Sequence, residues 1–248
     1  KGDPVNCDGE TNDLELFEKI GVSRTELLLT HSELEKEKYV VVGNSDFIGS
    51  KFNYAPATDS SPIFSVDCEM CYTSANKLEL ARVSVINEKL EIVYDTLVKP
   101  KNRIKNYLTK FSGITKKMLD PVTVTLDMVQ QRLIELLPDD AILCGQSLNC
   151  DLDVLKMTHP YIIDTSVIYN LSGNSHIKSS LKLLSAKFLK LDIQNDEKGH
   201  NSCEDAIAAM KLVNMFNCSN AMEYESLIVL IKLLSNLVII NYQNHKVS

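Results

Sequence analysis

Ile63-Phe64-Ser65-Val66-Asp67-Cys68-Glu69-Met70-Cys71 is the stretch on which the reading of this chain turns. Ile63 to Val66 have the composition of a buried strand. Residues two apart on a strand share a face, so Asp67 and Glu69 point together out of a core element. Like charges in such a place cost on the order of several kcal/mol each unless something neutralises them, and a divalent cation is the usual solution. The pair therefore argues for a metal site. Cys68 must face the other way and reads as a small core residue. With Cys71 it makes a C-x-x-C, but no second pair at zinc spacing follows.

Two further acidic motifs lie downstream. Asn149-Cys150-Asp151-Leu152-Asp153 follows the apolar run Ala141 to Cys144, and Gly145-Gln146-Ser147 reads as the turn into a helix whose first residues include Asp151. Gly199-His200-Asn201-Ser202-Cys203-Glu204-Asp205 opens another helical pattern, with Ser202 expected as N-cap and Asp205 three residues on. That arrangement sets a histidine just outside a helix and a carboxylate in its first turn.

The order Asp-x-Glu, Asp, His-x-x-x-x-Asp resembles the DEDDh superfamily of 3′-to-5′ exonucleases. Ser65 to Cys71, Lys110-Phe111-Ser112-Gly113-Ile114-Thr115 and Gly199 to Ala206 are similar to the REX branch of RNA exonucleases, over about Ser61 to Asn217. The resemblance implies an α/β, ribonuclease H-like mixed sheet, an antiparallel meander plus parallel strands, with flanking helices. It also implies two Mg2+ or Mn2+ ions per site: Asp67, Glu69 and Asp205 on the first, Asp67 bridging to the second, and Asp151 supporting the second. Two such ions about 3.5–4 Å apart activate water and stabilise the leaving oxygen, and all-oxygen ligands favour them over zinc. His200 would be the general base.

For the substrate, the resemblance implies Met70 against the terminal nucleobase, Ser112, Gly113, Ile114 and Thr115 near the sugar, and contacts from Gln146 and Ser147. Many members carry His where this chain has Gln146, which bears on substrate contacts rather than on metal ligation. The implied activity is release of nucleoside 5′-monophosphates from single-stranded RNA 3′ ends in RNA processing, in the nucleus or nucleolus. The alternatives are a DNA 3′-to-5′ exonuclease and an inactive RNA-binding module on the same fold. Asp153, Glu204, His31 and His159 read as structural; Asp164, at the end of the Tyr161 strand, is placed as a fifth acid near the site, but the resemblance implies a structural role for it.

Composition sets the bounds. A chain of 248 residues with 44% hydrophobic content buries one substantial core with appendages. Seven cysteines without framework spacing point to a reducing compartment. The net charge of −7 does not suit a protein that grips polyanions by overall charge. Two acid-free stretches do suit local phosphate contacts: Lys99, Lys101, Arg103, Lys105, Lys110, Lys116 and Lys117, and then His176, Lys178, Lys182, Lys187 and Lys190.

Opening on Lys1 rather than Met, the chain reads as a piece of a longer protein. Residues 1–60 are expected to be an extension packing on the catalytic part, with helical spacing from Leu14 to Leu29; 61–219 the exonuclease domain; and 220–248 an apolar helix. Strands are expected over Ile63–Glu69, Ala81–Asn87, Glu91–Val98, Ala141–Cys144 and Tyr161–Ile163, and helices over 125–137, 179–189 and 202–216. The apolar segment Leu227 to Ile240 falls short of the about 20 residues that span a bilayer, so no membrane partner is expected. Without a Gly-rich phosphate loop, neither is a nucleotide cofactor.

Overall fold

The computed structural model describes residues 22–172, 177–195 and 199–217. The segments 1–21 and 218–248 lie outside the described residues, and with them most of the expected first helix and the apolar C-terminal one. A mixed sheet runs in the order β4-β3-β2-β6-β8: β2 is Ile63–Thr73, β3 Leu78–Asn87, β4 Ile92–Leu97, β6 Ile142–Gly145 and β8 Ile162–Asp164. β2, β3 and β4 form an antiparallel meander, while β2–β6 and β6–β8 are parallel. The sequence pattern put these five strands in place to within a few residues. It missed β5 (Ile104–Asn106), which pairs with the far end of β2, and the short parallel pair β1 (Ile48–Gly49) and β7 (Met157–Thr158).

The two faces of β2 belong to different cores. Val66 and Cys68 join Val83, Val129, Leu133, Leu152 and Leu155 on one side, beneath α4 (Leu126–Leu136) and α5 (Asn149–Leu155). Ile63 joins Ile142, Ile163, Leu184, Met210 and Val213 on the other, beneath α7 (Leu181–Leu184, continued by a π turn over Ser185–Leu189) and α8 (Ser202–Asn214). Cys71 packs with Ala81, Ile114 and Leu119 in a third cluster. Cys68 and Cys71 are thus buried free thiols in separate clusters, not a chelating pair. The remaining helices are short: α1 His31–Lys36, α2 Thr109–Ser112, α3 Lys116–Leu119 and α6 Thr165–Ile168. Among the described residues, no helix is long and apolar enough to cross a membrane.

Residues 22–60 wrap the sheet at several points. Leu27 (1% exposed) sits in the core beside Ile63 and Ile163, and the Leu29 N–H donates to the Ile162 carbonyl at 2.8 Å, covering the outer edge of β8. Lys51 Nζ donates to the Ile134 and Leu137 carbonyls at the end of α4. His159 is locked between Ser50 Oγ and the Ala141 carbonyl, and burial pushes its ring down to about 4, so it stays neutral. A fully buried leucine loses both its transfer free energy and its packing on truncation. Leu27→Ala should therefore cost about 2–5 kcal/mol in urea unfolding. Val42→Ala, at a site 48% exposed, should change stability by less than about 0.5 kcal/mol. Equal midpoints for the two variants would remove residues 22–60 from the core.

Candidate active site

β2 and β6 pair only over Ile63–Ser65 and Ile142–Cys144. β6 then ends at Gly145, and the chain turns through Ser147 (φ +55°) into α5. Gly145 is required where the strands separate, because a Cβ there would lie 2.8 Å from the Val66 carbonyl oxygen. From Val66 to Cys71, β2 has no strand partner on its β6 side; β5 takes that side only at Tyr72 and Thr73. The Cys68 N–H donates instead to Asp151 Oδ1 at 2.9 Å, which draws the first turn of α5 against the strand.

Asp67 and Glu69 emerge on the face of β2 that meets α8, where Asp205 stands in the first turn. Glu69 (7% exposed), Asp151 (5%) and Asp205 (4%) are buried, and Asp67 is half-buried. Burial pushes Glu69 up to about 8, with Asp205 and Asp151 raising it further, while Arg82 and a backbone bond from Ser202 oppose the shift. Asp151 also rises to about 8 through burial, against the pull of the Cys68 N–H. Asp67 is raised by burial and by Asp151, Asp205 and Glu69 in turn. Each carboxylate feels the others, so the group forms one electrostatic unit. Glu69 Oε1 is buried without a hydrogen-bond partner. Among the described residues, no three His, Cys, Asp or Glu side chains are already gathered into a set that would hold a metal ion. The donor set nonetheless fits a hard divalent cation: it is all oxygen, mutually repulsive and includes an orphaned buried atom.

His200 is held by its backbone. Its N–H donates to the Phe111 carbonyl at 2.6 Å, and Gly199 (φ +102°) lies directly against Gly113, where a Cβ would come within 2.7 Å of the Gly113 Cα and the Thr109 carbonyl oxygen. The 110–115 motif is therefore the seat of the histidine loop. His200 Nδ1 lies 3.7 Å from Asp205 Oδ2.

The structure thus brings Asp67, Glu69, Asp151, Asp205 and His200 to one place, and it redistributes the expected substrate set. Ile114 is 1% exposed and belongs to the core, and the Ser112 hydroxyl is spent inside its own turn on the Tyr107 carbonyl and the Ile114 N–H. Thr115 caps α3 and Gly113 (φ +64°) ends α2. Both ends of the Gln146 amide are engaged, donating to the Ser179 carbonyl and accepting from the Thr165 hydroxyl, and the Ser147 N–H is taken by Asp164. Met70, at a bulge in β2, packs with the Val66 and Cys68 cluster.

One local expectation is corrected. Asn201, not Ser202, caps α8, accepting from the Cys203 N–H, because the Ser202 hydroxyl is drawn across to Ser84 Oγ at 2.7 Å. Two contributors escaped sequence reasoning. Gln194 donates to both Asp205 oxygens at 3.0 and 3.1 Å. Arg82, opposite Glu69 on β3, makes a bidentate pair with Asp95 and reaches Asn201. No local pattern marks Gln194; for Arg82 the one available signal was the alternation of β3, which sets it opposite Glu69. Asp153 and Glu204 are exposed and bind Lys156 and the Gln194 N–H, and His31 is an exposed neighbour of Glu35.

An exonuclease family model, RNase_T, matches residues 64–213. The chain belongs to this exonuclease family. It is 47% identical over 204 residues to RNA exonuclease 5 of Bos taurus, covering 81% of this chain and 25% of the bovine protein. It is 38% identical over 204 residues to RNA exonuclease 1 of Saccharomyces cerevisiae, covering 81% and 36%. Among solved structures, the Neurospora crassa Pan2 catalytic unit is similar with a TM-score of 0.59 at 25% identity, over 80% of this chain and 34% of that one. The S. cerevisiae Pan2 module in complex with AAGGA RNA has a TM-score of 0.56 at 24% identity, over 85% and 35%. The fold is ribonuclease H-like, and this is a nuclease-family domain. The chain spans about a quarter of the RNA exonuclease 5 proteins it matches.

Glu69 moves from an ordinary 4.5 to about 8 on folding. Between those values the folded state holds more protons than the unfolded one, so stability falls as pH rises. In excess chelator, the midpoint of thermal unfolding should drop between about pH 5 and pH 8. Asp67→Asn should raise it at about pH 8, by roughly 2–4 °C for each ~1 kcal/mol recovered. A midpoint that is flat over this range, or lower for the variant, would remove the carboxylate repulsion.

Proposed function

We propose that this domain is a 3′-to-5′ exoribonuclease that hydrolyses single-stranded RNA one nucleotide at a time in RNA processing, using two Mg2+ or Mn2+ ions held by Asp67, Glu69, Asp151 and Asp205. The observation that carries the proposal is the convergence of four mutually repelling carboxylates from β2, α5 and α8, with His200 alongside. When bound, the ions supply an activated water and stabilise the leaving oxygen. His200 accepts the proton of the attacking water at Nε2, the ring nitrogen left free by the Nδ1 contact with Asp205. Asp205 holds that ring by its charge, while Gln194 and Arg82 hold Asp205 and the start of α8. RNA rather than DNA is favoured because the relatives carry the name RNA exonuclease.

The strand behind the terminal nucleotide runs over the first basic stretch. Lys101, Arg103, Lys110 and Lys117 are exposed and form no ion pair among the described residues. The second stretch is largely spent internally: Lys178 pairs with Glu37 at 2.8 Å, and Lys182 binds Asn195 and faces Asp192.

A 5′-labelled single-stranded RNA should yield a ladder shortened from the other end, a 3′-terminal phosphate should slow it, and a circular RNA should resist. Cutting of the circle at a comparable rate, lost in Asp205→Ala, would mean an endonuclease. A faster rate on matched DNA would make this a DNA exonuclease. RNA binding without any cleavage would make it the inactive module. His200→Ala should lower turnover by about 100-fold or more with RNA affinity little changed. Collapse of affinity at unchanged turnover would make His200 a binding residue.

A further inference from the structure

One buried polar group that the mechanism leaves unused is a tyrosine from the segment before the nuclease domain. Tyr39 is 9% exposed, and its hydroxyl donates to Asp164 Oδ2 at 2.8 Å. The other oxygen of Asp164 accepts from the Ser147 N–H at 2.9 Å and from the Ser166 N–H and hydroxyl. Ser147 is the left-handed residue of the turn into α5, and its carbonyl accepts from the Cys150 N–H, next to Asp151. No side chain caps α5 from its own N-cap residue, Leu148. Burial first, and then the charges of Asp164 and Asp151, disfavour loss of the phenol proton. The phenol therefore remains a donor. The same segment also takes hold just before this point, through Leu29 on β8 and through Glu37 on Lys178, one residue before the Ser179 carbonyl that holds Gln146.

We propose that Tyr39 and Asp164 are positioning residues of the nuclease site, a clamp through which the segment before the domain fixes the entry into α5 and so sets Asp151 against the Cys68 N–H. The proposal rests on Asp151 belonging to that site. Physically, Ser147 must hold a strained backbone conformation, and buried Asp164 accepts four hydrogen bonds only while the phenol supplies one of them. Removing the hydroxyl leaves Asp164 Oδ2 without its donor and loosens the turn that carries Asp151. Small displacements of a catalytic group cost much rate and little binding.

The test compares Tyr39→Phe with Tyr54→Phe in the full chain. Tyr54 is in the same segment, but its hydroxyl bonds Ser50 and the Thr158 carbonyl, past the C-terminal end of α5 and at the opposite end from its entry turn. Both variants should lower the thermal midpoint. Only Tyr39→Phe should lower kcat on a 5′-labelled RNA, by roughly tenfold to a hundredfold with KM within about twofold. Only Tyr39→Phe should also speed hydrogen–deuterium exchange at the Cys68 and Asp151 amides, measured without metal or RNA. Asp164→Asn should reproduce both effects. Wild-type kcat and exchange in Tyr39→Phe, or the same changes in Tyr54→Phe, would overturn the clamp. If the wild type cleaves nothing, the nuclease reading fails, while the exchange rates still decide for or against the clamp.

Discussion

Between β6, which pairs as far as Ser65, and β5, which pairs from Tyr72, the backbone of β2 has no ladder on one edge, yet it still lies inside the molecule. A buried N–H without an acceptor costs about 1–3 kcal/mol, so the position beside Cys68 demands one. Asp151 meets that demand. One hydrogen bond thus satisfies the strand, seats α5 and brings a carboxylate from a helix in one core to the edge of a strand whose other face meets α8. The opening left by the diverging parallel strands, beyond the carboxyl end of β6, is where α/β sheets generally bind ligands.

The electrostatics of this opening work against the fold. Glu69, Asp151 and Asp205 are nearly inaccessible to water, and burial raises all three. The surrounding polar network offsets part of the cost. Arg82 is neutralised by Asp95 and sits opposite Glu69, Ser84 bridges Asp95 and Ser202, and Gln194 takes both oxygens of Asp205. What remains is a site poised to receive positive charge, with stability given up in return.

The pieces around this centre are interdependent. The 110–115 turn supports the histidine loop by glycine-to-glycine contact, α8 is tied to β3 through Ser84 and Ser202, and residues 22–60 close the outer edge of β8 and reach the turn before α5. The first basic stretch is left exposed, whereas Lys178 of the second is neutralised from α1's end. Local charge, rather than the net −7, decides where a polyanion can lie.

Much of this was readable along the chain. A two-residue period is enough to put Asp67 and Glu69 on one face and Cys68 on the other, and the spacing from His200 to Asp205 places a side chain before a helix and another in its first turn. Apolar runs likewise marked the five main strands, and the short joints between the first three marked the meander. Short-range rules reach that far because they depend only on backbone geometry. They could not say that Ile114 and Ser112 serve the turn itself, that Gln146 is tied up by Ser179 and Thr165, or that the α8 cap falls on Asn201 because Ser84 claims Ser202. Nor could they pair Tyr39 with Asp164 across 125 residues. Which buried donor meets which buried acceptor is settled only when distant segments are packed together, because the free energy lies in the contact and neither residue carries it alone.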